Sequence, residues 1–277
     1  VNVIYVYIKD HQTWERDVLE AVYHSHNIAA DNPIDIHFYG SDTGTLSINS
    51  PAGIIIDGAV TNTLGDTTIT TDHTIRQGES EYALLTGQYV DLDAGTGIGG
   101  PTLPLKIEQV YSGVLNATTT SGDIWIDAPY GGLTYDEIST ASGDATVSAD
   151  LSITGLDTGS LITGNLVTLE ARHGEIGSSG LFTRINSGNT DTDGLIALAA
   201  SDIFIREISG DLYLITAASL GGNVSLDSSG YIYDNNEVEI EDWRAKAALL
   251  TLWDDMLLLD DGALESAENT VTAYENL

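Results

Sequence analysis

Asp91 and Asp93 alternate along "YVDLDA", which on a strand turns both carboxyls the same way; Asp127, Asp136 and Glu137 follow further along the chain. Two carboxyls hydrolyse glycosides when they stand about 5–5.5 Å apart, or about 6.5–9.5 Å with a water between them. In a chain with 42 Asp and Glu such pairs arise by chance, so they are expected to be incidental and the catalytic set is expected to be empty. Lyase chemistry on acidic sugars needs Arg or Lys to hold the substrate carboxylate. Lys106, Arg172, Arg184 and Arg206 are scattered along the sequence among acids, which disfavours it. His24 and His26 sit two apart and could share a metal, but solvent-facing histidines are the simpler expectation. The turns "DTGT", "DTDG" and "DDG" could gather carboxylates and carbonyls around structural Ca²⁺; self-satisfying Asx turns compete with that reading. No cofactor is expected beyond that open Ca²⁺ alternative. "GTGIGG" lacks the Lys and Ser or Thr of a phosphate loop and reads as a turn cluster.

Charge and composition exclude further classes. Nine Lys and Arg against 42 acids give a net charge of −33, which repels nucleic acid and anionic membranes. The acidity itself suits solubility and resistance to sideways aggregation. With no Cys, neither disulfides nor thiolate metal sites are open to it, and no apolar run reaches the length of a membrane helix. The start "VNVIYVYIKD" has neither an initiator Met nor the basic region of a signal peptide, so the chain is expected to be a mature or excised piece.

The elements that carry these residues are short strands. From about residue 34 to 236, pieces such as "TLSINS", "GIIIDGAV", "DIWID", "LVTLEA" and "DLYLIT" alternate apolar with Thr, Ser or Asp, and Gly, Asn, Asp and Ser separate them. Residues 122–155 return in outline at 201–234: Asp123 matches Asp202 and Leu133 matches Leu212 at one common offset. Upstream, "LDAGTGIGG" with "LKI" echoes "LEARHGEIG" with "TRI". A sandwich has no reason to restate an order of strands and turns, whereas a solenoid does. At about 20 residues per rung the echo spans four rungs, and some ten rungs are expected. The predicted fold is all-β: a right-handed parallel β-helix (solenoid) with a C-terminal αα-hairpin.

Alternation assigns the faces. Ile124, Ile126, Ile203, Ile205, Leu212 and Leu214 point inward, and Gly122, Gly143, Gly210 and Gly222 take positive φ at corners. Trp125, Phe204 and Tyr213 point outward, with Phe204 in the place of Trp125, as candidate binding aromatics for sugars or a partner.

The ends differ from the middle, so three parts are expected: 1–36 an N-terminal strand or irregular junction, 37–236 the β-helix shaft, and 237–277 the helical hairpin. "VIYVYI" is apolar on both faces. Trp243, Ala247, Leu250, Trp253 and Leu257 step at helical spacing, as do Ala267, Val271 and Tyr274. Val3, Tyr5, Tyr7, Trp243, Trp253 and Tyr274 are the candidate residues for self-association at a junction.

The set "SPAGIIIDGAVTNTLGDTTITT", "LDAGTGIGGPTLPLKI", "TTSGDIWIDAPYGGLTYDEISTASGDATVSADLSITG" and "AASDIFIREISGDLYLITAASLGGNVSLDSSGYIYD" resembles the filamentous-haemagglutinin-like giant adhesins of bacteria over roughly residues 40–236. The resemblance implies a β-helix shaft that is secreted through an outer-membrane partner and displayed at the bacterial cell surface, and it brings no catalytic residues. The expected function is a structural and adhesive segment of an extracellular fibre, joined head to tail to itself or to adjoining repeat units. The alternatives are a carbohydrate-active β-helix enzyme and a module that binds surface glycans.

Overall fold

In the computed structural model, residues 36–37, 44–188, 190 and 192–236 are described. Every ladder between strands among them is parallel, so the chain winds as a parallel β-solenoid of about 8 turns. No helix among the described residues is long and apolar enough to cross a membrane.

The registers define three sides per turn. On side one, Ile54, Ile75, Ile98, Ile124, Ala145, Val167, Leu195 and Leu214 stack in one inward column and end on Asp234. Each step down that column is one turn, and the turns are unequal: Leu195 to Leu214 is the shortest and Val167 to Leu195 the longest. Most steps are longer than the expected rung of about 20 residues, so the turns number about 8 rather than ten. Sides two and three come from strands bent by a bulge, as in Ala59–Thr71, Leu84–Ala94 and Leu133–Thr140. On side two, Leu133, Ile153, Ile176, Ile203 and Val224 form the inward column.

β-branched and Leu side chains at alternate positions make this core. Ile75, Leu92, Ile98, Leu115, Ile126, Ile162 and Ile185 are all fully buried, each contributing about 1.5–3 kcal/mol by leaving water. Tyr135 joins them: its phenol is fully buried and faces Gly155 across the ladder, where the missing side chain leaves room. Burial pushes the Tyr135 phenol far above its ordinary value. Asn62 is also buried; its amide donates to the carbonyls of Gly44 and Asp66 and so holds the first bulge.

Corners are closed by hydroxyls as well as by glycine. Thr71, Thr119 and Thr140 lie in one column between sides three and one. The Thr140 hydroxyl donates to the Gly122 carbonyl at 2.8 Å and accepts the Gly143 N–H at 2.9 Å. Gly122 and Gly210 have the expected positive φ; Gly143 and Gly222 do not. Gly143 is glycine because a Cβ there would lie 2.2 Å from the Gly122 carbonyl oxygen of the turn before. Outward aspartates at strand entries tie turn to turn: Asp123, Asp144, Asp202 and Asp211 accept the backbone N–H of Asp144, Leu166, Asn223 and Tyr231, one turn on. Part of the acidity is therefore structural.

The echo of 122–155 in 201–234 does not span the expected four turns. Ile124 leads down its own column to Leu195 in three turns, and Ile203 follows only after the chain has moved on to side two. The true stacking partners are crossed relative to the echo: Leu133 shares a column with Ile203, and Ile124 shares one with Leu214. A repeating sequence thus reuses a local device on a different side of the coil. The expected αα-hairpin at 237–277 lies outside the described residues, as do Val3, Tyr5, Tyr7, Trp243, Trp253, Tyr274, His24 and His26.

Candidate functional site

The device that repeats is a loop that leaves the wall of the solenoid and re-enters in register. In the first copy the chain leaves after Ile98 and returns at Leu105, and Ile124, Trp125 and Ile126 lie one turn on. In the second it leaves after Ile176 and returns at Thr183, beside Ile203, Phe204 and Ile205. The two exits are built alike. Gly99 has φ +68, and a Cβ there would meet the Trp125 carbonyl oxygen at 2.2 Å and the Leu105 nitrogen at 2.7 Å. Gly177 has φ +65, and its Cβ would meet the Phe204 oxygen at 2.5 Å and the Thr183 nitrogen at 2.7 Å. Only glycine turns the chain there. These loops lie within the two longest turns, from Ile98 to Ile124 and from Val167 to Leu195. The second closes on itself, with Ser178 and Leu181 exchanging backbone hydrogen bonds of 2.8 and 3.1 Å around Gly180.

The second copy borders a groove of about 530 Å³ lined by Phe182, Arg184, Arg206 and Asp227, with Ser179 and Ser228 among its walls. Sequence distance makes the arginines look scattered; the ladder corrects this, because Arg184 and Arg206 are register partners on adjacent turns. Each guanidinium is fixed by its own contact. Arg206 donates through Nε to Asp227 at 2.7 Å and lies over the Phe182 ring, 5.0 Å from its centre. Phe182 and Phe204 meet edge to face at 5.6 Å. Arg184 donates to the Thr158 carbonyl and pairs with no carboxylate among the described residues.

Behind this groove, Glu207 points inward and is fully buried. Its carboxylate accepts the Ser187 N–H at 2.9 Å, the Ser187 hydroxyl at 2.8 Å and the Ser209 N–H at 3.0 Å. Desolvation still raises its pKa, against the opposing pull of those hydrogen bonds. Neither Glu207 nor Phe182 stands out in the sequence as a site residue. The one signal for Phe182 is its place in "GLFTRI", beside a basic residue.

The sequence candidates fall as follows. Trp125 is half-buried on side one, Phe204 half-buried on side two against Phe182, and Tyr213 half-buried on side one, 5.2 Å from the Tyr233 ring. Trp125 and Phe204 hold equivalent places beside their loops but do not form one row. Asp91 and Asp93 do share an exposed face, beside a smaller groove with Asp66 and Tyr89. Burial first and Asp93 second raise the Asp91 pKa. Asp127 stands on a different side of the coil from Asp136 and Glu137. The Asp127 carboxylate lies on side one against Ser148 and Arg172 and that of Asp136 approaches Ser160, while the backbone N–H of Glu137 donates to Asn116 Oδ1. Among the described residues no group of three His, Asp or Glu is placed to hold a metal.

The fold and this groove define the class, a parallel β-solenoid with a recess on its outer wall that brings two arginines together beside Phe182 and Asp227. Set against protein-family models, curated proteins and solved structures, the chain matches none.

Proposed function

We propose that this chain is a structural and adhesive segment of an extracellular bacterial fibre, non-enzymatic and joined end to end with further solenoid. The observation that carries the reading is the state of the last described turn. Inward positions that are sealed higher up, Ile203 and Leu212 at 0% exposure, give way to Val224 at 43% and Ile232 at 48% in the turn that follows. Leu220, Tyr231 and Tyr233 lie exposed beside them. Further coil stacked on such a turn would continue the inward column and extend the parallel ladder. The likeness of the strand-and-turn motifs to filamentous-haemagglutinin-like adhesins supports the same reading, as does the acidic wall, which resists sideways clumping. Secretion and surface display belong to this proposal, and so does self or an adjoining unit as the partner.

Electron microscopy of the purified chain tests it. Filaments with a regular axial repeat are the expected outcome; short, strictly monomeric rods at every concentration would defeat it.

A further inference from the structure

We infer that the groove around Arg184 and Arg206 is a binding site for a carboxylate-bearing sugar chain, a uronate. The inference goes beyond the fibre reading, since it concerns the outer wall and requires no joint. In a chain of net charge −33, two cations held side by side in one recess run against the prevailing field. Holding them there sets like charges together, with only Arg206 compensated by a described carboxylate, Asp227. The first copy of the same loop shows the alternative. Where Arg184 and Arg206 are partners in the second, Lys106 and Asp127 are partners in the first, and Arg172 adds a 2.6 Å ion pair to Asp127. The scaffold accepts a neutral pair at these positions, so the doubled charge is not demanded by folding.

The chemistry that fits is a planar oxyanion. A guanidinium offers a rigid fork of N–H donors that matches a carboxylate. Arg206 commits Nε to Asp227 and Arg184 one terminal nitrogen to Thr158, which fixes both planes and leaves further donors to each. Phe182, which meets Phe204 edge to face, supplies apolar surface for a sugar, and Ser179 stands among the walls. Adjacent turns place the backbones of the two arginines about 4.8 Å apart along the axis, near enough for both forks to meet one carboxylate. Phe182 among the walls adds apolar surface for a pyranose ring, which the acidic side chain of a peptide lacks.

Calorimetric titration of the whole chain with a short oligogalacturonate tests the site. The wild type is expected to bind, Arg184→Ala and Arg206→Ala each to weaken binding by about tenfold or more, and Arg172→Ala, on the other side, to bind as the wild type does. The methyl-esterified oligosaccharide, with the same rings and no charge, is expected not to bind. Should an alanine variant fail to fold, Arg184→Lys and Arg206→Lys keep the charge without the fork and are expected to lose affinity too. The inference is overturned by a wild type that does not bind, by arginine variants that bind unchanged, by equal binding of the ester, or by oligoglutamate of matched charge binding as tightly. Binding without filaments, or filaments without binding, separates this site from the fibre reading.

Discussion

The loop after Ile98 and the loop after Ile176 share one backbone design and carry different charge pairs at matching positions. Both leave the wall through a glycine of positive φ whose missing Cβ lets the next turn pass, and both stand beside an Ile–aromatic–Ile strand. Around that frame the first copy places Lys106 next to Asp127 and seals the inward position with Ala128. The second places Arg184 next to Arg206 and buries Glu207 at the matching inward position. What differs between them is therefore what the fold leaves free to vary. What is common is what the coil needs in order to make a detour and return in register.

The common part should fail in the same way in both copies. Ile126→Ala and Ile205→Ala remove fully buried side chains and are each expected to cost about 2–5 kcal/mol in urea unfolding. A tolerant second copy would break the equivalence. Next in size, Gly99→Ala and Gly177→Ala force a Cβ against backbone of the following turn, at an expected cost of about 1–3 kcal/mol each.

The free part should respond differently. Glu207 has a folded-state pKa above its unfolded value, because desolvation outweighs its hydrogen bonds. Its contribution to stability is therefore complete below the usual glutamate range and is lost as pH rises through the raised folded value. Wild-type unfolding midpoints are expected to fall over that interval, and Glu207→Gln is expected to flatten the slope; an unchanged slope would count against a strained carboxyl. Smallest of all, Asp127→Asn should cost at most about 1 kcal/mol through its partly exposed pair with Arg172. Arg206→Ala, read by the same unfolding assay, should likewise cost no more than about 1 kcal/mol, since its pair with Asp227 is half-exposed.

Alternation made the coil legible in the sequence. "DIWID" and "DIFIRE" assign Ile124, Ile126, Ile203 and Ile205 to the core correctly, because period two is a property of any strand with one buried face. What alternation does not carry is which side of the coil a strand occupies. Turn length varies from the short step between Leu195 and Leu214 to the long one between Val167 and Leu195. The echo therefore lands three turns and one side further on, and Trp125 and Phe204 part company. The groove stayed hidden for the same reason. Arg184 and Arg206 are well separated in sequence, and nothing in their neighbourhoods states that the interval between them is one turn. Glu207 was hidden in another way, since a carboxylate counted as surface is held inside by Ser187, a hydroxyl contributed from the turn before.

The hydrogen bonds of a parallel coil run along its axis, with each turn gripping only its neighbours. Tension applied between the ends of the described solenoid would pass through every ring in series, so the weakest ring would yield first. Such a shaft would yield by unreeling, each ring releasing chain at about 3.4 Å per residue. The last described turn, where Val224 and Ile232 are half-exposed, has the least buried apolar surface to resist such a pull.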